Sequence, residues 1–170
     1  MQKQHQSFKV CLIGASQSGK SEFLRQLLGE KTVEGKEIKG YVPTEGCAFR
    51  DMMFNTNHGS YKIMFWDVGA HPGHLGLGDM YYFGSQGALA FYSHEDDCEK
   101  TNAIVKDYKR VSVETPIVNV WQSTKRRLFS NKFLEYRRTF NVDTSDRTTI
   151  ITPILNLLRV LTGKDDLVLV

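Results

Sequence analysis

Short runs of consecutive apolar residues alternate along the chain with longer amphipathic ones, a rhythm that predicts an α/β domain with a largely parallel sheet. Residues 8–13 read Phe-Lys-Val-Cys-Leu-Ile, almost continuously apolar, as a strand covered on both faces should be. Residues 20–28 follow as a helix with Phe23, Leu24, Leu27 and Leu28 on one stripe, and Gly29 sits where a left-handed residue would end it. Residues 47–54 and 61–66 predict two further strands. The Asn/Gly-rich stretch between them, Asn55-Thr-Asn-His-Gly-Ser60, is a hairpin signal, so this pair is expected to be antiparallel. Strands are also expected at 88–92 and 117–121. Between them, 97–110 reads as a helix with acidic residues at its start and Lys109-Arg110 at its end, an order that suits the helix dipole. A last helix is expected over 149–161, with Ile151, Ile154, Leu155, Leu158 and Leu161 on one face. Pro153 would fall in its first turn and Gly163 just past its end.

Composition narrows the class. The chain has 170 residues, 41% of them hydrophobic and 11% aromatic, which suits one folded domain over 1–170 and argues against disorder. No stretch approaches the roughly 20 consecutive apolar residues of a membrane span, and the first residues lack the apolar centre of a secretory signal. Three cysteines, Cys11, Cys47 and Cys98, are odd in number and far apart, which fits a reducing compartment; Cys11 and Cys47 lie in strands and are expected in the core. The formal charge of +3 is unevenly placed: −3 over residues 61–118 and +4 over 119–170. Most of the last excess lies in the run 125–138, where Lys125, Arg126, Arg127, Lys132, Arg137 and Arg138 face only Glu135.

The strongest chemical signal lies between the first strand and the first helix. Gly14-Ala-Ser16-Gln17-Ser18-Gly19-Lys20-Ser21 matches G-x-x-x-x-G-K-[ST] in the strand–loop–helix context that gives the pattern its meaning. Successive N–H groups of such a loop form an anion nest, and the helix start adds unpaired donors and the positive end of its dipole. Lys20 supplies a full charge to the β- and γ-phosphates, and the Ser21 hydroxyl can take a Mg²⁺ coordination position. The plain alternative is a loop of the same shape that no longer holds nucleotide. Asp67, in Trp66-Asp67-Val-Gly-Ala70-His71 at the end of the third strand, stands where an acid would hold Mg²⁺; otherwise it is an ordinary strand-end acid.

The chain resembles the small GTPases of the Ras superfamily, and within it the Ran family of nuclear-transport GTPases. The likeness rests on the phosphate loop together with Tyr41-Val-Pro-Thr44, Phe54-Asn-Thr-Asn-His-Gly59, Trp66-Asp67, Gly76-Leu-Gly-Asp79-Met-Tyr81-Tyr82 and Thr115-Pro-Ile-Val118. Pro153, Leu161-Thr-Gly163 and Leu167 continue it, so it runs from Phe8 to Val170, with a shortened stretch after Thr124. It implies a mostly parallel six-stranded sheet with one antiparallel edge strand and helices on both faces. It further implies GTP or GDP with Mg²⁺: Gly14, Gly19 and Lys20 cradling phosphates, and Ser21, Thr44 and Asp67 serving the metal. Thr44 and Asp67 would belong to two switch segments ordered by the γ-phosphate. Nuclear transport receptors or the family's regulators would be the partners, in nucleus and cytoplasm. Measured against that family, the chain is expected to lack the acidic C-terminal tail.

Departures from the family pattern are as informative. D-x-x-G becomes Asp67-Val-Gly-Ala70, and Ala70 keeps the N–H while restricting the backbone. The glutamine that positions the attacking water is His71, followed by Pro72, and Ser16 replaces a usual glycine. Phosphoryl transfer depends on positioning and electrostatics, so these three changes predict slow hydrolysis. The guanine-reading N-K-x-D falls at Gln122-Ser-Thr-Lys125. Its aspartate accepts from the base, whereas Lys125 offers only donors and so works against guanine. Gln122 would stand in for the asparagine amide, and Trp121 offers a ring to stack on the base. The later S-A-K reads Asp143-Thr-Ser145, without its lysine. A triphosphate binder of relaxed base preference and a non-catalytic interaction module therefore stand beside the switch reading.

Other clusters weigh less. The run 125–138 reads first as a solvated helix face, and second as a surface for an acidic partner or a nuclear localisation segment, with nucleic acid least favoured. His71 and His74, with His58 and His94 elsewhere, lack the Cys or acidic spacing of a metal site. His94-Glu-Asp-Asp97 reads as the polar start of a helix. Gly73, Gly76 and Gly78 suggest mobility in the second switch, or simple turns.

Overall fold

The computed structural model describes residues 5–29, 46–70, 78–93, 97–122 and 139–170. The elements run β1 (Gln6–Gly14), α1 (Lys20–Leu28), β2 (Cys47–Thr56), β3 (Gly59–Val68), α2 (Gly78–Tyr82), β4 (Gly87–Tyr92), α3 (Cys98–Val111), β5 (Ile117–Gln122), β6 (Thr139–Val142) and α4 (Arg147–Thr162). Six strands form one sheet in the order β2-β3-β1-β4-β5-β6. Among the described strands, β2 and β3 pair antiparallel and the other four pairings are parallel. The hairpin closes between Thr56 and Gly59 around Asn57-His58, tighter than the six-residue connection suggests, and Gly59 takes φ +112° there.

The continuous apolar character of β1 has a direct cause. Alternate side chains point to opposite faces of a strand, and both faces here are covered. Phe8, Val10 and Leu12 join a core with Phe23, Leu24 and Leu27 of α1 and Ile150, Ile154, Leu157 and Leu158 of α4. Cys11 and Ile13 join a second core with Tyr82 of α2 and Cys98, Val105 and Tyr108 of α3. Cys11 is fully buried and Cys47 half-buried, both packed with that second core. No helix among the described residues is long and apolar enough to cross a membrane.

Helix α1 keeps both predicted limits, and Gly29 ends it at φ +66°. Helix α4 departs from expectation. Asp146 caps it by accepting from the Thr148 N–H, so it starts at Arg147, and Pro153 lies inside the helix instead of in its first turn. Its fully buried face is Ile150, Pro153, Ile154, Leu157 and Leu158, whereas Ile151, Leu155 and Leu161 are only partly buried beside the core. From β1 the chain passes through α1 to the β2–β3 pair on one side of it, and then crosses from β3 to β4 on its other side. That arrangement opens a crevice at the carboxyl ends of the strands, where a ligand site belongs in such a sheet.

Candidate functional site

Gly14 closes β1 with φ +150°, and a Cβ on it would come within 2.7 Å of the Phe91 carbonyl of β4. Only glycine lets the loop leave the sheet that close to its neighbour. Gln17 takes φ +60° and Gly19 φ +87°, left-handed residues of the kind that turn successive N–H groups toward one centre. Ser16 and Gln17 are exposed at the mouth of the loop, and Ser18 is buried. Gly19 is the N-cap of α1 and brings no side chain to cap it, and a helix start of this kind suits an anion.

Lys20 is 7% exposed and folds back over this loop. Its Nζ donates to the Gly14 carbonyl at 2.9 Å, the Ala15 carbonyl at 2.9 Å and Ser18 Oγ at 3.3 Å. Burial lowers its pKa to about 8, against the pull of the Asp67 carboxylate. Ser21 Oγ donates to Asp67 Oδ2 at 2.5 Å, which joins the start of α1 to the end of β3. Asp67 is 2% exposed, and its Oδ1 has no hydrogen-bond partner among the described residues. Burial pushes the Asp67 carboxyl above the usual carboxylate range, partly offset by Ser21, Lys20 and Arg50.

These residues fit Mg²⁺. A hydroxyl and a carboxylate converge as hard oxygen donors, and a buried carboxylate oxygen is left unsatisfied. Ser21 and Asp67 would hold the ion, which supplies positive charge to neutralise phosphate oxygens. Thr44, the third expected metal residue, lies outside the described residues, as do His71, Lys125 and the run 125–138. Ala70 is described and half-exposed at the edge of the site, and the preceding Gly69 N–H donates to the Gly46 carbonyl at 2.8 Å.

The base side is different. Gln122, at the end of β5, donates from Nε2 to the Gly19 carbonyl at 3.0 Å. A Cβ on Gly19 would fall 2.2 Å from Gln122 Oε1, so the amide lies hard against the phosphate loop. Trp121 is 6% exposed and packs in the second core, so it is not the open stacking ring that the sequence offered. The reason is strand alternation, which turns Trp121 toward the same face as Ile13 and Ala90. Asp143 accepts from both the N–H and the hydroxyl of Ser145, which holds its carboxyl below the usual range and closes a turn before α4. Among the described residues no group of His, Cys, Asp and Glu is arranged to bind a metal; His58 pairs with Asp166 at 2.7 Å.

One site residue is missed by sequence reasoning. Thr101 of α3, fully buried, accepts from the Ala15 N–H at 3.0 Å and donates to the Phe91 carbonyl at 3.2 Å. Its signal was a hydroxyl on the otherwise apolar stripe Cys98, Val105 and Tyr108.

Comparison with known proteins agrees with this geometry. The family model for Roc, described as Ras of Complex, Roc, domain of DAPkinase, matches residues 9–125, more than half of the chain. The GTP-binding nuclear protein GSP1 of Encephalitozoon cuniculi (strain GB-M1) is 27% identical over 186 residues, covering 100% of this chain and 83% of that protein. With a phosphate loop opening α1 and an acid closing β3 on a six-stranded, mostly parallel sheet, the chain belongs to the Roc family of Ras-like GTPase domains and is a Ran-like small GTPase.

Proposed function

We propose that the protein is a Mg²⁺-dependent guanine-nucleotide switch with slow GTP hydrolysis, acting in nucleocytoplasmic transport through transport receptors or their regulators in nucleus and cytoplasm. The observation that carries the reading is the convergence of Lys20, Ser21 and Asp67 on one loop, with Asp67 Oδ1 buried and unpartnered among the described residues. Lys20 moves from loop carbonyls to phosphate oxygens when nucleotide binds, and the uncapped start of α1 supplies N–H donors. Ser21 and Asp67 would hold the metal. His71 stands in place of the usual water-positioning glutamine, Ser16 adds a side chain to the loop and Ala70 restricts the backbone, so turnover is slow. The similarity to a GTP-binding nuclear protein supports the nuclear assignment.

A second reading is favoured by one observation: the Gln122 amide is turned onto Gly19, and the sequence offers Lys125 where guanine needs an acceptor. On that reading the chain is an interaction module that keeps the fold and engages transport-type partners without guanine-specific binding or hydrolysis. To separate them, the purified protein is denatured, any released nucleotide is identified by chromatography, and the stripped protein is titrated with GTP and ATP in Mg²⁺. Tight GTP and weak ATP support the switch. Binding of neither at high concentration sinks it and leaves the interaction module. Lys125→Asp is expected to raise the preference for GTP over ATP, and an unchanged ratio would show that this stretch does not meet the base.

A further inference from the structure

We infer that Thr101 is a positioning residue of the phosphate loop: its hydroxyl fixes the Gly14–Ala15 peptide and, through it, the place of Lys20. The inference rests on the nucleotide-binding reading of the site, but its contact stands on geometry alone. Strands β1 and β4 pair in parallel up to Gly14 opposite Phe91. Just past that point the Thr101 hydroxyl stands between the two strands, accepting from the Ala15 N–H and donating to the Phe91 carbonyl. A hydroxyl has one proton. With that proton committed to Phe91, a lone pair is left facing Ala15. Helical threonines commonly bond back to their own helix, four residues earlier. Thr101 instead reaches a strand end and a loop 86 residues away in sequence.

The consequence follows from peptide planarity. The Gly14 carbonyl and the Ala15 N–H belong to one peptide unit and point in opposite directions across it. Thr101 holds the N–H side, and Lys20 Nζ sits on the carbonyl side at 2.9 Å. The next carbonyl, Ala15, accepts from the same ammonium at 2.9 Å. A rotation of this peptide would take an anchor from Lys20 and move the first turn of the loop. Ala15 is 3% exposed and Thr101 fully buried, which leaves little access for water to replace a lost hydroxyl. The Ala15 N–H and the Phe91 C=O would then each lose the Thr101 hydroxyl as a partner in the interior.

The test compares Thr101→Val, which keeps the branched shape and removes the hydroxyl, with Thr101→Ser, which keeps the hydroxyl. Two readouts are taken on the full chain: hydrogen exchange of the Ala15 amide without nucleotide, and the release rate of Mg·GDP. Thr101→Val is expected to speed Ala15 exchange about tenfold and Mg·GDP release about fivefold, with Thr101→Ser within about twofold of the parent on both. If the valine variant does not fold, Thr101→Ala takes its place with the same expectations. Unchanged Ala15 exchange in the hydroxyl-free variant overturns the inference. So does a serine variant as impaired as valine, which would make the role one of volume. If the parent protein binds no Mg·GDP, the nucleotide reading fails separately, and the Ala15 exchange arm still decides whether the hydroxyl fixes the loop.

Discussion

The phosphate end and the base end of the crevice are built from neighbouring strand tips, yet they are in different states. At the phosphate end the groups converge on one loop: a glycine-shaped turn, a buried ammonium on two carbonyls, and a hydroxyl on a buried carboxylate. At the base end, Gln122 serves the loop, Trp121 serves the core and Asp143 serves its own turn. The difference has a physical source. Phosphate recognition rests largely on backbone N–H groups and one cation, which a short contiguous motif fixes. Base recognition needs a particular acceptor facing particular donors, and one change from carboxylate to ammonium reverses its sign.

The sharpest way to break this contrast is to disable the strong end. Lys20→Met is expected to weaken Mg·GTP binding about 100-fold, since it removes two charge-assisted contacts to phosphate. Equilibrium titration of the stripped protein measures it, and a loss below about threefold would mean that Lys20 stays on its loop carbonyls when ligand binds.

A smaller effect tests the join between the two ends. Gly19→Ala places a Cβ 2.2 Å from Gln122 Oε1 at a backbone φ of +87°. We expect about 2–3 kcal/mol of destabilisation in denaturant unfolding, from strain together with the clash. Adding Gln122→Ala relieves the clash but not the strain, so the double variant should be more stable than the sum of the singles implies. Strict additivity would place the Gln122 side chain away from the loop.

The smallest effect is on pH. With its pKa lowered to about 8, Lys20 is about half-deprotonated near that pH and loses the rest of its proton above it when no ligand is bound. Phosphate beside it favours the charged form, so binding above pH 8 takes up a proton and affinity falls as pH rises, by at most about tenfold per unit. The terminal phosphate is already fully ionised there, since its last pKa lies near 6. Calorimetry in buffers of different ionisation heat would detect the uptake, and its persistence in Lys20→Met would assign it elsewhere.

Much of this was legible in the residues. Gly14, Gly19, Lys20 and Ser21 announce the loop because they are contiguous, and Lys20–Leu28 announces its helix because its stripe and its Gly29 cap are local. Strand β6 was not legible: four residues, Thr-Phe-Asn-Val, with Val142 alone fully buried, carry no usable period. Helix α2, five residues after a glycine-rich stretch, is as short. In α4 nearly every turn is apolar, so the pattern could not choose between Ile150 and Ile151 for the buried face. Thr101 and Gln122 act across 86 and 103 residues, and only the completed sheet brings them to the loop.

The most direct measurement is a titration of the nucleotide-free protein with GTP, with Mg²⁺ and again with the metal chelated. Saturable binding that weakens when Mg²⁺ is removed, and that an Asp67→Asn variant makes insensitive to the metal, is the expected result. No binding in Mg²⁺ at millimolar GTP, or equal affinity with and without the metal in the unmodified chain, would contradict a phosphate grip built on Lys20, Ser21 and Asp67.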